Sequence, residues 1–567
     1  GHNYGGVIDT AENYGKVVGL NTPELNNKQQ VGGIAGMNRG NGIINNAYNE
    51  GAVEGYVLVG GIVGTNFISG TVSNVVNKGS VSAEKQVGGI AGKNDDIIIN
   101  AKNDAAVTGE DYIGGIVGYN EADTTGRLEN VNNSFNGIVT GHGKQIGGIT
   151  GRNESKGTII NSSNQGNINA VNASYVSGIA GYNYGTIINT ANEANINGGV
   201  EKIGGIVGYN NAGTIENCYN TGNITCTNYA GGIAGYNYAG KLINNYNTGS
   251  IAGVSQYIGG ISGLSIKGSI ENCYNTGTIS GNHYLGGITG KNDADNTIEN
   301  SYNIGEILSK NTSQYVGGIC GYSNGAVINV YSVSKITGKS KYGPLMGLTG
   351  QSSTVNNAYY YDFTVACYKK YDDNAEYTTL EAFNKAFAEG LGEDDKNAWQ
   401  TGQKQTAPYL QSFLETISGD VGNVEATAGS DCKAALLARL QALGITVDPD
   451  KILGLENLAT GEYDLSELLY STQDGYDLQL TGKLVLKAEP RPEPPKPGPI
   501  PDMGDKYAAA LISIQKKVPY MWEENVPDDR RLHIDEQRRI RLDSNSVKIE
   551  TTIFDEINLQ EAELLKE

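Results

Sequence analysis

A short unit repeated every 26 to 33 residues is the feature that most limits how this chain can fold. Its mark is a Gly-Gly-Ile-like step with another Gly two residues on, as in Val-Gly-Gly-Ile-Ala-Gly, and twelve copies precede residue 360. A unit this short cannot enclose a core of its own, and each copy must bury its apolar side against its neighbours. The repeat therefore predicts a stacked array of coils and not a row of independent domains.

One asparagine occupies the same place in all twelve copies. Six consecutive members of this column are Asn189, Asn217, Asn244, Asn272, Asn300 and Asn329. Asparagine tolerates the left-handed backbone conformation and therefore suits a tight corner. When every coil places it at the same corner, the side-chain amides can stack and hydrogen-bond from coil to coil. The column predicts a structural ladder of asparagines.

Short β-branched segments alternate with Gly and Asn throughout the repeats, which is typical of strands and turns. No stripe with the 3.6-residue period of a helix occurs inside a unit. A β-propeller is disfavoured because each of its blades needs about 40–50 residues. The sequence therefore predicts a mainly β chain in which residues 1–360 form a parallel β-helix of about twelve coils.

The repeat letters resemble those of a known family. A Val-Gly-Gly-Ile-like step is followed by Ile-x-Asn-x-Tyr-Asn-x-Gly-x-Ile, most clearly at 203–224 and 258–279. This pattern resembles the GLUG-motif repeats of large bacterial surface proteins, including the region beside the catalytic part of some immunoglobulin A proteases. The resemblance implies an extracellular location on a bacterial cell surface, and it implies no particular activity.

Four further regions follow the repeats. Residues 361–416 are expected to form a cap that contains a short helix, because an open solenoid end would expose apolar core and strand edges. Residues 417–488 mix a helical piece with strand-like stretches and suggest a small α+β or Ig-like module. Seven prolines between 490 and 501 make residues 489–501 an extended linker. Residues 502–567 stay unassigned, as a small domain or a fragment of one.

Charge and composition exclude several functions. The chain has 41 Lys and Arg against 61 Asp and Glu, a net charge of −20. Sequence-independent nucleic-acid binding needs a basic face, so no nucleic-acid partner is expected. No apolar run approaches the roughly 18–20 residues of a membrane span, so none is expected in this chain. The 4 histidines include no His-Glu-x-x-His, so zinc-protease chemistry is not expected either.

Acidic residues recur in one turn of three consecutive coils. They are Asp95, Asp96, Glu121, Asp123 and Glu154. Stacked carboxylates could hold Ca²⁺, which takes six to eight oxygen ligands. The favoured alternative is a solvated acidic corner, and catalysis by a carboxylate pair is the third interpretation.

Tyrosines form a second column in five consecutive coils. Its members are Tyr219, Tyr246, Tyr274, Tyr302 and Tyr331. A shorter run precedes another asparagine column, at Tyr182, Tyr209 and Tyr236. If the first column faces outward, it is a strip able to bind a glycan or a protein, because Tyr supplies rigid contact area with a polar tip. If it faces inward it is a packing ladder, the interpretation that we favour.

The expected function is a non-enzymatic extracellular module, acting as a stalk or as an adhesin-like binding region for a surface glycan or protein of host or bacterium. The alternative is an accessory region that positions a protease or glycosidase domain outside this chain. A β-helix enzyme acting on carbohydrate is the third interpretation, and it requires a groove with at least two carboxylates. No cofactor other than Ca²⁺ is expected.

Overall fold

The computed structural model describes residues 1–19, 29–121, 125–337, 341–362, 367–371, 375–393, 395–400, 407–410, 415–427, 432–443, 445, 447–448, 452–453, 455, 461–471, 476–487, 532–534, 539–542 and 551–552. They belong to two units, Gly1–Leu486 and Lys487–Glu567. The Pro-rich linker predicted at 489–501 and most of 502–567 lie outside the described residues. None of the described helices is long and apolar enough to cross a membrane.

Each repeat forms one coil of a parallel β-solenoid, and the coil contributes strands to three faces, A, B and C. Face A begins just after the Gly-Gly-Ile step and has one strand in each coil. Its thirteen strands are His2–Tyr4, Ala35–Arg39, Val63–Asn66, Ala91–Asn94, Val117–Asn120, Thr150–Asn153, Ala180–Asn183, Val207–Asn211, Ala234–Tyr238, Ser262–Ile266, Thr289–Asn292, Cys320–Ser323 and Met346–Thr349.

Face B follows face A along the chain, and most of its coils have two short strands on either side of the predicted asparagine corner. Its strands are Val7–Asp9, Glu12–Asn13, Ile43–Asn45, Tyr48–Asn49, Thr71–Asn77, Ile97–Asn103, Arg127–Glu129, Asn132–Asn133, Thr158–Ile160, Ser163–Asn164, Thr186–Ile188, Ala191–Asn192, Thr214–Glu216, Tyr219–Asn220, Lys241–Ile243, Tyr246–Asn247, Ser269–Glu271, Tyr274–Asn275, Thr297–Asn303, Ala326–Ser332 and Thr354–Asp362.

Face C completes the coil and leads back to the next Gly-Gly-Ile step. Its strands are Val17–Val18, Val31–Gly32, Val53–Glu54, Val57–Gly60, Val81–Ser82, Lys85–Gly88, Val107–Gly109, Asp111–Gly114, Val139–Gly141, Lys144–Gly147, Ile168–Asn169, Ser174–Ser177, Ile196–Asn197, Glu201–Gly204, Ile224–Cys226, Asn228–Gly231, Ile251–Gly253, Gln256–Gly259, Ile279–Gly286, Ile307–Gly317, Ile336–Thr337 and Lys341–Gly343.

Register is kept from coil to coil. On face A, Tyr182 lies opposite Tyr209 and Asn183 opposite Asn210, while on face B Tyr219 lies opposite Tyr246. A residue column in the aligned repeats is therefore also a column in space. The predicted parallel β-helix is confirmed, with about eleven turns.

Two apolar columns fill the interior of the solenoid. One contains the Ile of the Gly-Gly-Ile step and the inward residues of face B, such as Ile206 and Ile215. The other contains the inward residues of face C, such as Ile203 and Ile224, and all four side chains are fully buried. Each such burial contributes about 1.5–3 kcal/mol, so stability accumulates with every added coil.

The Gly-Gly pair before the Ile is required by close approach of neighbouring coils. A Cβ at Gly205 would lie 2.0 Å from the carbonyl oxygen of Gly232 and 2.4 Å from the amide carbon of Asn220. Both separations are far below any van der Waals contact, so a larger residue would force the coils apart. The repeat signature thus follows from the tight turn between faces C and A.

The predicted asparagine column lies at the corner within face B. All twelve of its members have left-handed φ angles, between 46° and 54°, from Asn300 to Asn74 and Asn244. The amide Nδ2 of Asn217 donates to Asn189 Oδ1 at 3.2 Å, and that of Asn244 donates to Asn217 Oδ1 at 3.1 Å. Asn329 donates in the same way to Asn300. Asn272, which completes the predicted set, has the same left-handed backbone.

Two further asparagine ladders lie inside the solenoid. One ends the strands of face A, where the Nδ2 of Asn183 donates to Asn210 Oδ1 at 2.8 Å. The other ends the second strands of face B, where Asn220 donates to Asn247 Oδ1 at 2.7 Å and to the carbonyl of Gly222 at 2.8 Å. All four side chains are fully buried. These amides satisfy the turn carbonyls that the interior would otherwise leave unpaired.

The predicted cap region, 361–416, covers the last coils in two ways. The strands Cys367–Lys370 and Glu376–Tyr377 form a hairpin that pairs antiparallel with Thr354–Asp362, the last strand of face B. Helix α1, Leu380–Gly390, begins at Thr379, whose side-chain oxygen accepts a hydrogen bond from the backbone N–H of Ala382. A 3₁₀ turn, Asp395–Asn397, precedes the strands Trp399–Gln400 and Tyr409–Leu410, which pair antiparallel.

Helix α1 lies against the side of several coils and not only over the last one. Phe383 and Phe387 project from it, and both contact the rings of Tyr331 and Tyr359, which belong to successive coils. Asp395 accepts hydrogen bonds from the amides of Asn300 and Asn329, again in successive coils. The cap therefore fixes neighbouring coils to one another along the corner of face B.

Residues 415–487 contribute a separate apolar core. The strands Glu415–Thr427, Gly461–Asp464 and Tyr476–Lys487 form one sheet, and helix α2, Cys432–Ala442, packs on the first strand. A short pair, Ile452–Leu453 and Tyr470–Ser471, and helix α3, Leu465–Leu468, complete the described elements. The predicted boundaries of this module, 417–488, stay a prediction.

In the unit Lys487–Glu567, the described residues form three short strands, Leu532–Ile534, Arg539–Leu542 and Thr551–Thr552. They pair antiparallel in chain order.

Candidate functional site

Two of the acidic turn residues predicted to form a cation site are bound by other side chains of the chain. Glu121 forms an ion pair with Lys93. Glu154 accepts hydrogen bonds from Arg152 Nε at 2.6 Å and from the Tyr119 hydroxyl at 2.7 Å. Each of these carboxylates is therefore held by a cation or a hydroxyl group of the chain itself.

The two remaining described acids are buried. Asp95 is fully buried and Asp96 is 9% exposed, with its carboxylate accepting from the backbone N–H of Ser69 and from the Thr125 hydroxyl. No group of three or more His, Cys, Asp or Glu side chains suited to a metal occurs among the described residues. The hypothesis of a Ca²⁺ site stays a prediction: Glu121 and Glu154 are paired with Lys93 and Arg152, and Asp123 lies outside the described residues.

The predicted tyrosine column is a stack whose far end is covered by the cap. Successive rings from Tyr219 to Tyr331 lie 5.0 to 5.1 Å apart, with planes within 7° of parallel. Tyr274, Tyr302 and Tyr331 are at most 1% exposed. We call these three together with Tyr359 the covered ladder.

Contacts with the cap explain this burial. The Tyr331 hydroxyl donates to the carbonyl of Pro408 at 2.6 Å, and Trp399 packs on both Tyr302 and Tyr331. The Nε1 of Trp399 donates to Asn300 Oδ1 at 2.9 Å. Tyr274, Tyr302 and Tyr331 are therefore buried, as a packing ladder requires, and the hypothesis of a ligand-binding strip stays a prediction. Tyr219 and Tyr246 extend the stack beyond the cap and are partly buried.

A second set of tyrosines lines the edge between faces C and A and is not covered by the cap. We call this set the tyrosine band; its members are Tyr112, Tyr119, Tyr175, Tyr182, Tyr209, Tyr229, Tyr236, Tyr257, Tyr284 and Tyr315. All ten rings are partly exposed. The band runs along the stacking direction through successive coils.

Two columns meet in the band. On face C, the rings of Tyr229 and Tyr257 lie 4.9 Å apart and those of Tyr257 and Tyr284 lie 4.7 Å apart, both pairs stacked at 18°. On face A, Tyr209 and Tyr236 stack at 4.9 Å. Tyr229 and Tyr236 join the two columns, with ring centres 6.3 Å apart.

The face C column has an uncommon backbone conformation. Its members in ten consecutive coils all have left-handed φ angles between 50° and 64°; they are Leu58, Gln86, Tyr112, Gln145, Tyr175, Lys202, Tyr229, Tyr257, Tyr284 and Tyr315. For a residue with a Cβ this costs roughly 1–2 kcal/mol, which Gly would avoid and Asn would reduce. At the face B corner this same chain uses Asn in twelve coils and Thr10 in the first. Bulky residues at the left-handed position of face C therefore incur a conformational cost that the fold itself does not require. Such a cost indicates a functional role.

Cations accompany the rings, and each has an acidic partner. The Nζ of Lys202 lies 4.8 Å from the ring centre of Tyr175 and 5.4 Å from that of Tyr209, while it pairs with Glu201 at 3.0 Å. Arg152 lies over Tyr182 and pairs with Glu154. Lys291 pairs with Asp293 at 2.7 Å. The band thus has ion pairs and little net charge, in a chain that is strongly acidic.

The pKa values of several phenol groups in the band are raised. Burial raises the pKa of Tyr229 and of Tyr284 above the usual value of about 10. Burial and a hydrogen bond to Glu154 raise the pKa of Tyr119 further. Within the described part of the chain, the hydroxyls of Tyr229, Tyr257 and Tyr284 bond no protein group, and none is a buried atom lacking a partner. These hydroxyls can donate hydrogen bonds to a ligand and accept them from it.

Sequence reasoning found the face A half of the band, at Tyr182, Tyr209 and Tyr236, and missed the face C half. The missing signal is a Tyr two residues before the Gly-Gly pair, as in Gln-Tyr-Ile-Gly-Gly at 256–260. The inner asparagine ladder through Asn220 was missed as well, although an Asn three residues after the corner Asn is plain in the aligned repeats.

Comparison with known proteins supports the repeat assignment. Residues 199–225 and 254–280 match the family described as the GLUG motif. Each of these segments includes the Gly-Gly step, the corner asparagine and one tyrosine of the predicted tyrosine column. No curated protein and no solved structure matches the chain. The chain therefore carries GLUG repeats on a β-solenoid.

Proposed function

We propose that this chain is a non-enzymatic, extracellular module of a bacterial cell-surface protein, which binds a glycan or a protein along its tyrosine band. The solenoid serves as a stalk that presents the band to the ligand. The observation that carries the proposal is the band itself, in which ten partly exposed tyrosines follow one edge through successive coils. Tyrosine combines rigid contact area with a polar tip and is enriched at binding surfaces.

The backbone of the face C column adds support. Left-handed φ angles at Tyr175, Tyr229, Tyr257, Tyr284 and Tyr315 cost free energy that Asn or Gly would save. The rings gain contacts with one another, but the covered ladder achieves closer ring alignment with extended strands and no left-handed tyrosine. Display of the rings at the surface explains the tyrosines at this face C position better than packing does.

The arrangement of acids supports a binding role over a catalytic one. Glycosidases act through two carboxylates at a groove. A cavity of about 260 Å³ between residues Val171 and Thr227 is lined by no Asp or Glu. A second cavity, of about 280 Å³ beside helix α1, is lined by one acid, Glu389. Neither offers a pair of carboxylates.

The test compares two corners of the same coils. The double variant Tyr229→Ala and Tyr257→Ala removes two rings from the band. The control, Tyr219→Ala with Tyr246→Ala, removes two rings from the predicted tyrosine column on face B. Each full-length variant is applied to an array of glycans and purified extracellular-matrix proteins, alongside the wild-type chain. We expect ligands of the wild type to be lost by the band variant and kept by the control. Circular dichroism and the melting temperature establish that both variants are folded.

The opposite result would reject the proposal. If the folded band variant keeps every interaction of the wild type, the band is not the binding surface. If the wild type binds nothing on the array, the solenoid has no binding role and is a spacer alone.

A further inference from the structure

We infer that the ligand of the tyrosine band is an extended, neutral, β-linked polysaccharide that lies along the stack with its sugars in step with the coils. This inference rests on the proposed function and adds the chemical class of the ligand and its direction of binding. It is carried by three observations: the hydrogen-bonding capacity of this edge, the spacing of the tyrosine rings and the balance of charge.

Backbone groups at this edge are already used between coils. On face C the parallel pairing runs from Val176 to Ile203 and on to Ala230, and on face A from Val207 to Ala234. Parallel pairing consumes the N–H and C=O groups of the strand along the stacking direction. These described strands, each paired with a strand on either side, therefore offer a peptide no free edge along the side of the solenoid on which to add a strand. Recognition at the band must come from side chains, which suits a ligand rich in hydroxyls.

The rings of the face C column form a row with a nearly constant repeat. Rings of Tyr229, Tyr257, Tyr284 and Tyr315 follow one another at 4.9, 4.7 and 5.0 Å. Because the rings are stacked on each other, their edges and hydroxyls face outward more than their flat faces do. An extended β-linked hexose chain advances by nearly this distance per sugar, with alternate sugars turned over, so each coil can contact one sugar. A helical α-linked chain does not keep such a match beyond one or two sugars.

Charge favours a neutral polymer. Arg152, Lys202 and Lys291 are each paired with a carboxylate, at 2.6, 3.0 and 2.7 Å. A polyanion would have to compete with those partners and approach a chain of net charge −20. A neutral sugar chain meets neither obstacle, and the paired polar groups can still exchange hydrogen bonds with it.

The decisive variant removes hydroxyls and keeps rings. Tyr229→Phe, Tyr257→Phe and Tyr284→Phe together preserve the stack and delete three donors that bond no protein group within the described residues. The full-length chain is titrated by calorimetry with cello-, manno-, xylo- and chitohexaose as extended neutral ligands. Maltohexaose serves as the neutral ligand with a helical shape, and an oligogalacturonate of the same length serves as the anionic one.

We expect at least one extended neutral hexamer to bind, and maltohexaose and the oligogalacturonate to bind at least about tenfold more weakly. The triple Phe variant should lose at least about tenfold in affinity, since three hydrogen bonds to the ligand are removed. The matched control, Tyr219→Phe with Tyr246→Phe, should bind like the wild type. Unchanged melting temperatures in both variants would exclude a purely structural cause.

Two results would overturn the inference and leave the proposed function in place. One is binding of only anionic glycans or proteins, lost on Tyr229→Ala with Tyr257→Ala. The other is full affinity of the triple Phe variant for the hexamers, which would mean that ring surface and not the hydroxyl row recognises the sugar. If Tyr229→Ala with Tyr257→Ala weakens the binding of no ligand, both the inference and the proposed function fail.

Discussion

The covered ladder and the tyrosine band repeat the same residue at the same spacing and end in opposite environments. Ring centres lie about 5 Å apart in both, as at Tyr302–Tyr331 and Tyr229–Tyr257. Tyr302 and Tyr331 lie beneath Phe383, Phe387 and Trp399, whereas the band rings are partly exposed. Periodicity thus specifies that tyrosines stack, and the segment after the repeats decides which stack is available to a ligand.

The largest effect is expected where the ladder is covered. Tyr302→Ala should lower the free energy of unfolding by about 3–5 kcal/mol, because it empties a fully buried site between Tyr274, Tyr331 and Trp399. Tyr257→Ala in the band should cost about 1 kcal/mol, since its ring is partly solvated and mainly loses stacking. Guanidinium unfolding of both variants measures the difference, and equal losses would contradict the division between covered and open tyrosines.

The asparagine ladders likewise include buried and exposed members. Comparing the two tests whether burial determines how much each side chain contributes to stability. Asn220→Ala removes a fully buried amide that donates to Gly222 and Asn247 and accepts from Asn192, and it should cost about 1–3 kcal/mol. Asn217→Gly, at the outer corner of the same coil, keeps the left-handed backbone and loses only surface hydrogen bonds, so less than about 1 kcal/mol is expected. Urea unfolding of the two variants checks the ranking. A larger loss for Asn217→Gly would show that the outer ladder contributes more than the inner one.

The smallest effect concerns an acid beside the cap. Burial, Asp395 and Glu271 raise the pKa of Glu299 above its ordinary value. Because folding favours the protonated form, ionisation of this carboxyl costs stability, and the cost appears as pH rises from the ordinary pKa of about 4.3 through the raised folded value. Glu299→Gln should therefore raise the melting temperature slightly at pH 7 and leave it unchanged below about pH 4.

Glu216 provides the matched control for this change, because it lies in the same face B column, two coils before Glu271, and away from the cap. Glu216→Gln should shift the melting temperature less than Glu299→Gln at pH 7. An equal shift at both positions, or a gain for Glu299→Gln that persists at pH 4, would show that proximity to the cap is not the cause.

The sequence was sufficient for the solenoid because its information lies in columns. The Gly-Gly step and the corner asparagines specify one coil per repeat, and parallel register follows once every coil places the same residue at the same corner. The facing of Tyr274 or Tyr302 could not be read in this way, because corners break the strict alternation of a strand. Their burial depends on Phe387 and Trp399, which lie far along the chain.

The acidic turn shows a second limit. Glu121 and Glu154 occupy the same turn of successive coils and look like a cluster. Each is paired with a cation of face A: Lys93 lies in the coil before Glu121, and Arg152 lies in the same coil as Glu154. Spacing in the sequence gives the position of a carboxylate along the stack. It does not give the partner chosen by each side chain, which depends on rotamers and on the residues above and below.

The inner asparagine amides all point one way along the stack. Asn183 donates to Asn210 and Asn210 to Asn237, and Asn192 donates to Asn220 and Asn220 to Asn247, always from the earlier coil to the later one. A ladder of this kind has polarity: its two ends differ, one offering amide oxygens and the other amide hydrogens. Two like ends cannot complete each other, whereas unlike ends can. Turns can therefore be added to this solenoid only head to tail, with the amide hydrogens of one end facing the amide oxygens of the other.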